Sequence, residues 1–160
     1  GYSRDAHFFY GLRFRGVIMT DRTVVSSKLR FLREYLEDLK EYEDISLEAY
    51  QTSKKDQRFV ERTLHLACEC CLDIAAHLIS RRGFREPRNN KDLFTVLYEN
   101  QVIGEETHQS MAKMAKFRNI VVHDYARIDP GIVIGILRND LKDLMHFGKE
   151  VLQCMDAGNS

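Results

Sequence analysis

Residues 54–80 read KKDQRFVERTLHLACECCLDIAAHLIS. Apolar residues recur in this segment at spacings of three and four, which is the pattern of an α-helix with a buried side. They are spread widely around the helix: Phe59, Leu64, Leu66, Ala67, Leu72, Ile74, Ala75, Leu78 and Ile79. So broad an apolar surface predicts a long helix that packs against more than one neighbour. Arg81-Arg82-Gly83 supplies the expected C-terminal stop.

The segments on either side also carry helical patterns. Upstream, residues 24–42 place leucines one helical turn apart, and Ser46 followed by Glu48 indicates a new helix start after a break at residues 44–46. Downstream, helices are predicted over residues 91–100, over residues 104–123, and as one last helix from Pro130 through Val151. The sequence therefore predicts an all-α, up-and-down bundle of about five helices.

The composition is that of an ordinary globular domain, with 160 residues, 44% hydrophobic and 30% charged. We expect residues 19–155 to form this single domain, with residues 1–18 as an N-terminal tail or extension ahead of Met19 and residues 156–160 as a C-terminal tail. Lys plus Arg and Asp plus Glu both total 24, so contact with a polyanion must use a local basic patch. No apolar run reaches the roughly 18 residues of a membrane-spanning helix, and residues 1–16 make a poor signal peptide.

Four cysteines, Cys68, Cys70, Cys71 and Cys154, raise the alternatives of metal binding and burial. His65, Cys68 and Cys71 recur every three residues, so a metal-ligand set is one interpretation. The chain has no second pair of cysteines at zinc-finger spacing, however, and free cysteines within a helix are commonly buried. We therefore expect no metal, no other cofactor, and reduced thiols in a cytoplasmic protein.

Residues 114–125, which read MAKFRNIVVHDY, place polar side chains along one side of a predicted helix, a set that we call the polar arc. At about 100° per residue, one side of a helix here carries Arg118, Asn119, His123 and Tyr125, opposite Met114, Phe117, Ile120 and Val121. Val122 and Asp124 do not fit this division, which indicates that the helix ends or distorts near His123. A solvated helix face gives the same pattern, so periodicity alone favours an ordinary surface.

Arg118-Asn119-x3-His123-x-Tyr125 resembles the Arg-x4-His-x-Tyr signature of HEPN domains, in the form carried by HepT toxins of the HepT/MntA toxin–antitoxin family. The long helix and the helix after the motif are also similar to that family, so the resemblance covers about residues 20–155. It implies the HEPN fold, metal-independent cleavage of RNA, and a homodimer in which two copies of the motif line one composite cleft.

The resemblance also implies a role for each residue of the motif. His123 is the expected general base or acid, since an imidazole titrates near neutral pH. Arg118 is expected to stabilise negative charge on the phosphate, with Asn119 in support of His123 one helical turn away. Tyr125 is the expected site of AMPylation by an MNT-type nucleotidyltransferase antitoxin, because an anion placed beside Arg118 would neutralise and occlude the cleft.

Other charged residues are weaker candidates. Asp56 lies where the family often has an acidic residue that approaches the site, although a favourable interaction with the helix dipole explains it equally well. One group of basic residues on the long helix could contact RNA phosphates: Lys54, Lys55, Arg58 and Arg62. A second group in the loop after that helix could contact RNA or the antitoxin: Arg81, Arg82, Arg85 and Arg88. A solvated helix face is the commoner explanation of such a run.

Two alternatives to a ribonuclease stay open at this point. One is a non-catalytic HEPN module that binds nucleotide or RNA and regulates a nucleotidyltransferase partner. The other is a purely structural subunit of a transferase complex. The complete motif favours the ribonuclease.

Overall fold

The computed structural model of the chain describes residues 21–123 and 128–158, and the side chains at positions 21, 122 and 123 lie outside that description. Within these ranges the backbone forms seven helices and no strand. They are α1 (Asp21–Lys40), α2 (Leu47–Thr52), α3 (Lys54–Arg82), α4 (Asn90–Glu99), α5 (Glu105–His123), α6 (Pro130–Asn139) and α7 (Leu141–Ala157). The prediction of an all-α bundle is confirmed.

The centre of the bundle is α3, which packs along α1 and also contacts α2, α4, α5 and α7. It runs antiparallel to α1, because Lys28 near the start of α1 bonds Asp73 late in α3 at 3.0 Å, while Tyr42 just after α1 bonds Asp56 at the start of α3 at 3.1 Å. Val60, Ala67 and Ile74 are fully buried along its length. The predicted long helix with several packing partners is therefore confirmed.

By length and composition alone, α3 would also qualify as a membrane-spanning helix, and it is the one such helix among the described residues. The bundle covers 61% of the apolar window that passes this test. Burial against other helices therefore accounts for its apolar residues.

Both ends of α3 are set by local hydrogen bonds. At the start, the backbone N–H of Asp56 donates to the Ser53 hydroxyl oxygen at 3.2 Å, which satisfies a donor that the helix leaves unpaired. At the end, Gly83 has φ 66°, in the left-handed region that glycine enters without a steric penalty, and its N–H donates to the Ile79 carbonyl. The predicted stop at Gly83 is confirmed.

The number of helices differs from the expected five or so, for two local reasons. Ser46 does begin a helix, α2, whose N-terminus it caps by accepting the Ala49 N–H at 3.1 Å. The predicted last helix is in fact two, α6 and α7, which meet at Asp140. The break contains neither proline nor glycine, so the periodic apolar pattern hid it. Leu137 of α6 and Phe147 of α7 are both buried in the core on either side of it.

The expected burial of the cysteines is confirmed for the three in α3. Cys68, Cys70 and Cys71 are free thiols buried in the core, and burial raises the pKa of Cys68 to about 12. His65 is only half-buried and bonds Glu69, so it does not join Cys68 and Cys71 in a ligand set. In the described ranges no group of three or more His, Cys, Asp or Glu side chains is placed to hold a metal ion.

The basic loop after α3 is held to α4 by hydrogen bonds from Arg85 to Asp92 and Glu99, a network that we call the Arg85 clamp. The Arg85 guanidinium donates to both carboxylate oxygens of Asp92, at 2.7 and 2.8 Å, and to Glu99 at 2.9 Å. This network fastens the loop to α4 and holds the pKa of both carboxyl groups below their usual range, chiefly through hydrogen bonds from Arg85. Because the charge of Arg85 is met within the chain, Arg85 is a poor candidate for contact with RNA or antitoxin.

Two helical glycines allow a matched test of the packing. At Gly135 in α6, an added Cβ would meet no described atom within 4 Å, so Gly135→Ala should stabilise the fold by about 0.5–1 kcal/mol through reduced backbone entropy. At Gly148 in α7, the added Cβ would lie 3.1 Å from Leu29 Cδ2, so the same gain should be offset by displacement of Leu29. Urea unfolding measures both variants. A larger gain from Gly148→Ala than from Gly135→Ala would contradict the packing of α7 on α1.

The Arg85 clamp predicts a pH-dependent contribution to stability. Since Asp92 and Glu99 have lower pKa values when folded than the roughly 4 of unfolded carboxyl groups, the clamp stabilises above about pH 4, and that contribution is lost as the pH falls through the folded values. Arg85→Gln should therefore lower the melting temperature at neutral pH, by an amount that shrinks towards about pH 2. Thermal unfolding followed by circular dichroism tests this, with the exposed Arg33→Gln as the control. A difference that stays constant over this pH range would exclude the clamp.

Candidate functional site

The second half of α5 carries the polar arc found in the sequence. Because α5 is described from Glu105 to His123, the backbones of Arg118, Asn119 and His123 lie on one helix. Met111, Met114 and Ala115 bury the opposite side against the core. The predicted helix end near His123 falls at the edge of the described residues and stays a prediction. Tyr125 falls outside the described residues, as does the side chain of His123.

Arg118 is half-buried and bound to a carboxylate from the middle of α3. Its Nε donates to Glu69 Oε1 at 2.7 Å, and the two side chains are 18% and 28% exposed. A charged hydrogen bond of this length is short for an N–H···O contact and is stronger than a neutral one. It ties the end of α5 to α3, across 49 residues of sequence.

His65 joins the same carboxylate oxygen. Its Nε2 lies 3.3 Å from Glu69 Oε1, from one helical turn earlier in α3, and it donates in the tautomer that carries hydrogen on Nε2. We call Arg118, Glu69 and His65 the Arg118 cluster. Sequence reasoning assigned no role to Glu69 and none to His65 beyond a possible metal ligand. The four-residue spacing of His65 and Glu69 was a readable signal, but their link to Arg118 was not.

A line of basic residues leads along α3 to this cluster. Lys54, Lys55, Arg58 and Arg62 are all exposed. Lys55, Arg58, Arg62, His65 and Glu69 succeed one another at spacings of three and four, which places them on one face of the helix. At about 1.5 Å of rise per residue, that face extends about 21 Å from Lys55 to Glu69. The structure therefore brings the predicted basic track and Arg118 to the same side of the bundle.

Asp56, by contrast, is not brought to Arg118 within one chain. It lies 13 residues before Glu69, or about 20 Å along α3. There it accepts a hydrogen bond from the Tyr42 hydroxyl at 3.1 Å. Burial and this bond raise the pKa of Tyr42. The contact ties Tyr42, just after α1, to the start of α3, so Asp56 has a structural contact within the chain.

The geometry suits recognition of an anion. A guanidinium has five N–H donors in one plane, and among the described residues Glu69 engages Arg118 through Nε only. The four N–H groups of Nη1 and Nη2 match the spacing of phosphate oxygens. Asn119 is exposed beside Arg118, and the basic face of α3 adds further positive charge.

Known proteins share both the sequence and the fold. A family model described as Ribonuclease HepT-like matches residues 32–151. A tRNA nuclease HepT of Aphanizomenon flos-aquae is 32% identical over 110 residues, which is 69% of this chain and 75% of that protein. An mRNA nuclease HepT of Shewanella oneidensis is 34% identical over 84 residues, which is 52% of this chain and 63% of that protein.

A solved structure agrees with these relatives. The tri-AMPylated HEPN toxin of Shewanella oneidensis, in complex with an MNT antitoxin, has a TM-score of 0.74 to this fold at 27% identity, over 81% of this chain and 97% of that one. The family match spans well over half of the sequence and includes both Arg118 and the middle of α3. The chain belongs to the HepT-like ribonuclease family, as the resemblance of its motif implied.

Proposed function

We propose that this chain is a toxin that cleaves RNA without a metal ion and is neutralised by a nucleotidyltransferase antitoxin. The observation that carries the proposal is the placement of Arg118, five residues before His123 on α5. Arg118 is half-buried there and bonds Glu69 at 2.7 Å. The two similar HepT proteins are a tRNA nuclease and an mRNA nuclease, so RNA is the substrate class that they support.

In the proposed reaction the RNA 2′-oxygen attacks the adjacent phosphorus. The 2′-hydroxyl gives its proton to a base as the O2′–P bond forms, and the departing 5′-oxygen takes up a proton as the P–O5′ bond breaks. His123 is the proposed proton carrier. Arg118 stabilises the negative charge that accumulates on the phosphate oxygens between these events, and Asn119 supports His123 from the same helix.

We assign the completion of the site to a second copy of the chain. Beside Arg118, Asn119 is exposed and Ile120 is 41% exposed, so the end of α5 offers both polar and apolar surface to a partner. In a homodimer, two copies of the motif would face each other and line one composite cleft. Asp56 would contribute to the composite cleft only if the dimer brings it to the motif of the other copy.

The basic face of α3 is the proposed path of the RNA strand. Lys54, Lys55, Arg58 and Arg62 are exposed, and their line runs towards the Arg118 cluster. Contacts of lysine and arginine with phosphates are independent of base identity. They would guide an RNA strand to Arg118 without selecting its sequence.

Regulation is assigned to Tyr125, two residues after His123. The similar Shewanella oneidensis toxin is AMPylated and bound to an MNT antitoxin, which supports the same kind of partner for this chain. AMP carries a phosphate, and attachment to Tyr125 would place that anion near Arg118. The cationic site would then be neutralised and blocked to RNA.

The assigned site predicts the effect of two substitutions. Arg118→Ala and His123→Ala should each lower RNA cleavage at least about 100-fold, since each removes a group that acts on the reacting phosphate. Arg33→Ala, which removes an exposed arginine of α1, should cleave like the parent. The assay is cleavage of an RNA oligonucleotide by the purified proteins, with and without EDTA. Activity abolished by EDTA contradicts the metal-independent mechanism, and RNA binding without cleavage by the parent supports a regulatory module instead.

The proposed modification predicts a change in mass. When the chain is produced together with its nucleotidyltransferase partner, intact-mass spectrometry should show gains in AMP-sized steps, which Tyr125→Phe abolishes. Tyr98→Phe, at a tyrosine that is 39% exposed on α4, is the matched control and should keep the gains. Mass gains that persist in Tyr125→Phe would place the modification on another residue.

A further inference from the structure

The Arg118 cluster contains two side chains, Glu69 and His65, for which the proposed reaction has no use. Glu69 lies near the middle of the 29-residue helix α3, between the buried Cys68 and Cys70. Its backbone position is therefore set by the packing of α3 in the core. Its Oε1 lies 2.7 Å from Arg118 Nε and 3.3 Å from His65 Nε2.

A carboxylate beside Arg118 lowers the positive charge that the site presents to RNA. On electrostatic attraction alone, loss of Glu69 would strengthen binding of an anion. Any contribution of Glu69 to catalysis must therefore come from the orientation that it gives the Arg118 guanidinium. An arginine side chain loses rotamer entropy when it is held in one conformation, and the bond from Nε restricts the guanidinium before substrate arrives.

We propose that Glu69 is a positioning residue, which holds the Arg118 guanidinium by Nε so that Nη1 and Nη2 face the scissile phosphate. The inference rests on the proposed function. His65 is the second donor to the same oxygen and keeps the Glu69 carboxylate on the side of α3 that faces Arg118. Neither residue touches the RNA in this assignment, and both act through Arg118.

The proposal separates binding from catalysis. Glu69→Gln should lower kcat for an RNA oligonucleotide by about 10- to 100-fold, because a misplaced group loses transition-state stabilisation. Binding of an all-2′-O-methyl RNA strand, which lacks the attacking hydroxyl, should be as tight as in the parent or tighter. His65→Gln should lower kcat less than Glu69→Gln does. Glu37→Gln makes the same change of charge at an exposed site on α1 and should behave like the parent.

A double substitution tests whether Glu69 acts through Arg118. If it does, Glu69→Gln should cause no further loss of kcat when added to Arg118→Ala. Additive losses, or parent-like kcat in Glu69→Gln, would overturn the proposal. Thermal unfolding checks that each variant is folded. If Glu69→Gln does not fold, Glu69→Asp takes its place, since it keeps the charge but draws the carboxylate back from Nε, and it should also lower kcat.

The outcomes distinguish the two proposals. If the parent and every variant leave RNA intact, the proposed ribonuclease function fails, and the role of Glu69 fails with it. If the parent and Glu37→Gln cleave RNA, Arg118→Ala does not, and Glu69→Gln cleaves at the parent rate, only the role of Glu69 is overturned.

Discussion

The breadth of the apolar surface on α3 is the constraint that organises this protein. Apolar side chains point in so many directions from α3 that one neighbour cannot cover them, and α1, α2, α4, α5 and α7 all pack against it. The face left to solvent is narrow and carries Lys55, Arg58, Arg62, His65 and Glu69. Burial of one side of the helix thus determines which side remains for charged residues.

The Glu69–Arg118 ion pair joins this face to the family motif. Helix α5 is held to the core by Met111, Met114 and Ala115, and its exposed end brings Arg118 against α3. A motif on a single helix would present Arg118 as one more solvated cation. The contact with α3 makes it a half-buried, oriented guanidinium, which is the form that can act on a phosphate.

Much of this architecture was legible from local patterns. The long helix, its stop at Gly83 and the start of a helix at Ser46 were all predicted, because each depends on residues close together in sequence. The break at Asp140 was missed because the apolar spacing continues across it without proline or glycine. Asp56 and Arg85 were weak candidates for function because of their charge, and the structure gives both partners within the chain, Tyr42 for Asp56 and the Asp92 and Glu99 carboxylates for Arg85.

The sequence by itself determined the helical class of the fold, the family and the motif that carries Arg118 and His123, because helical periodicity and a motif are properties of neighbouring residues. Only the tertiary structure decided which carboxylate holds Arg118. Glu69 is 49 residues away, and α3 offers Asp56, Glu61 and Asp73 as chemical equivalents. The choice among them depends on where α5 crosses α3, and that crossing is set by the packing of apolar side chains on both helices.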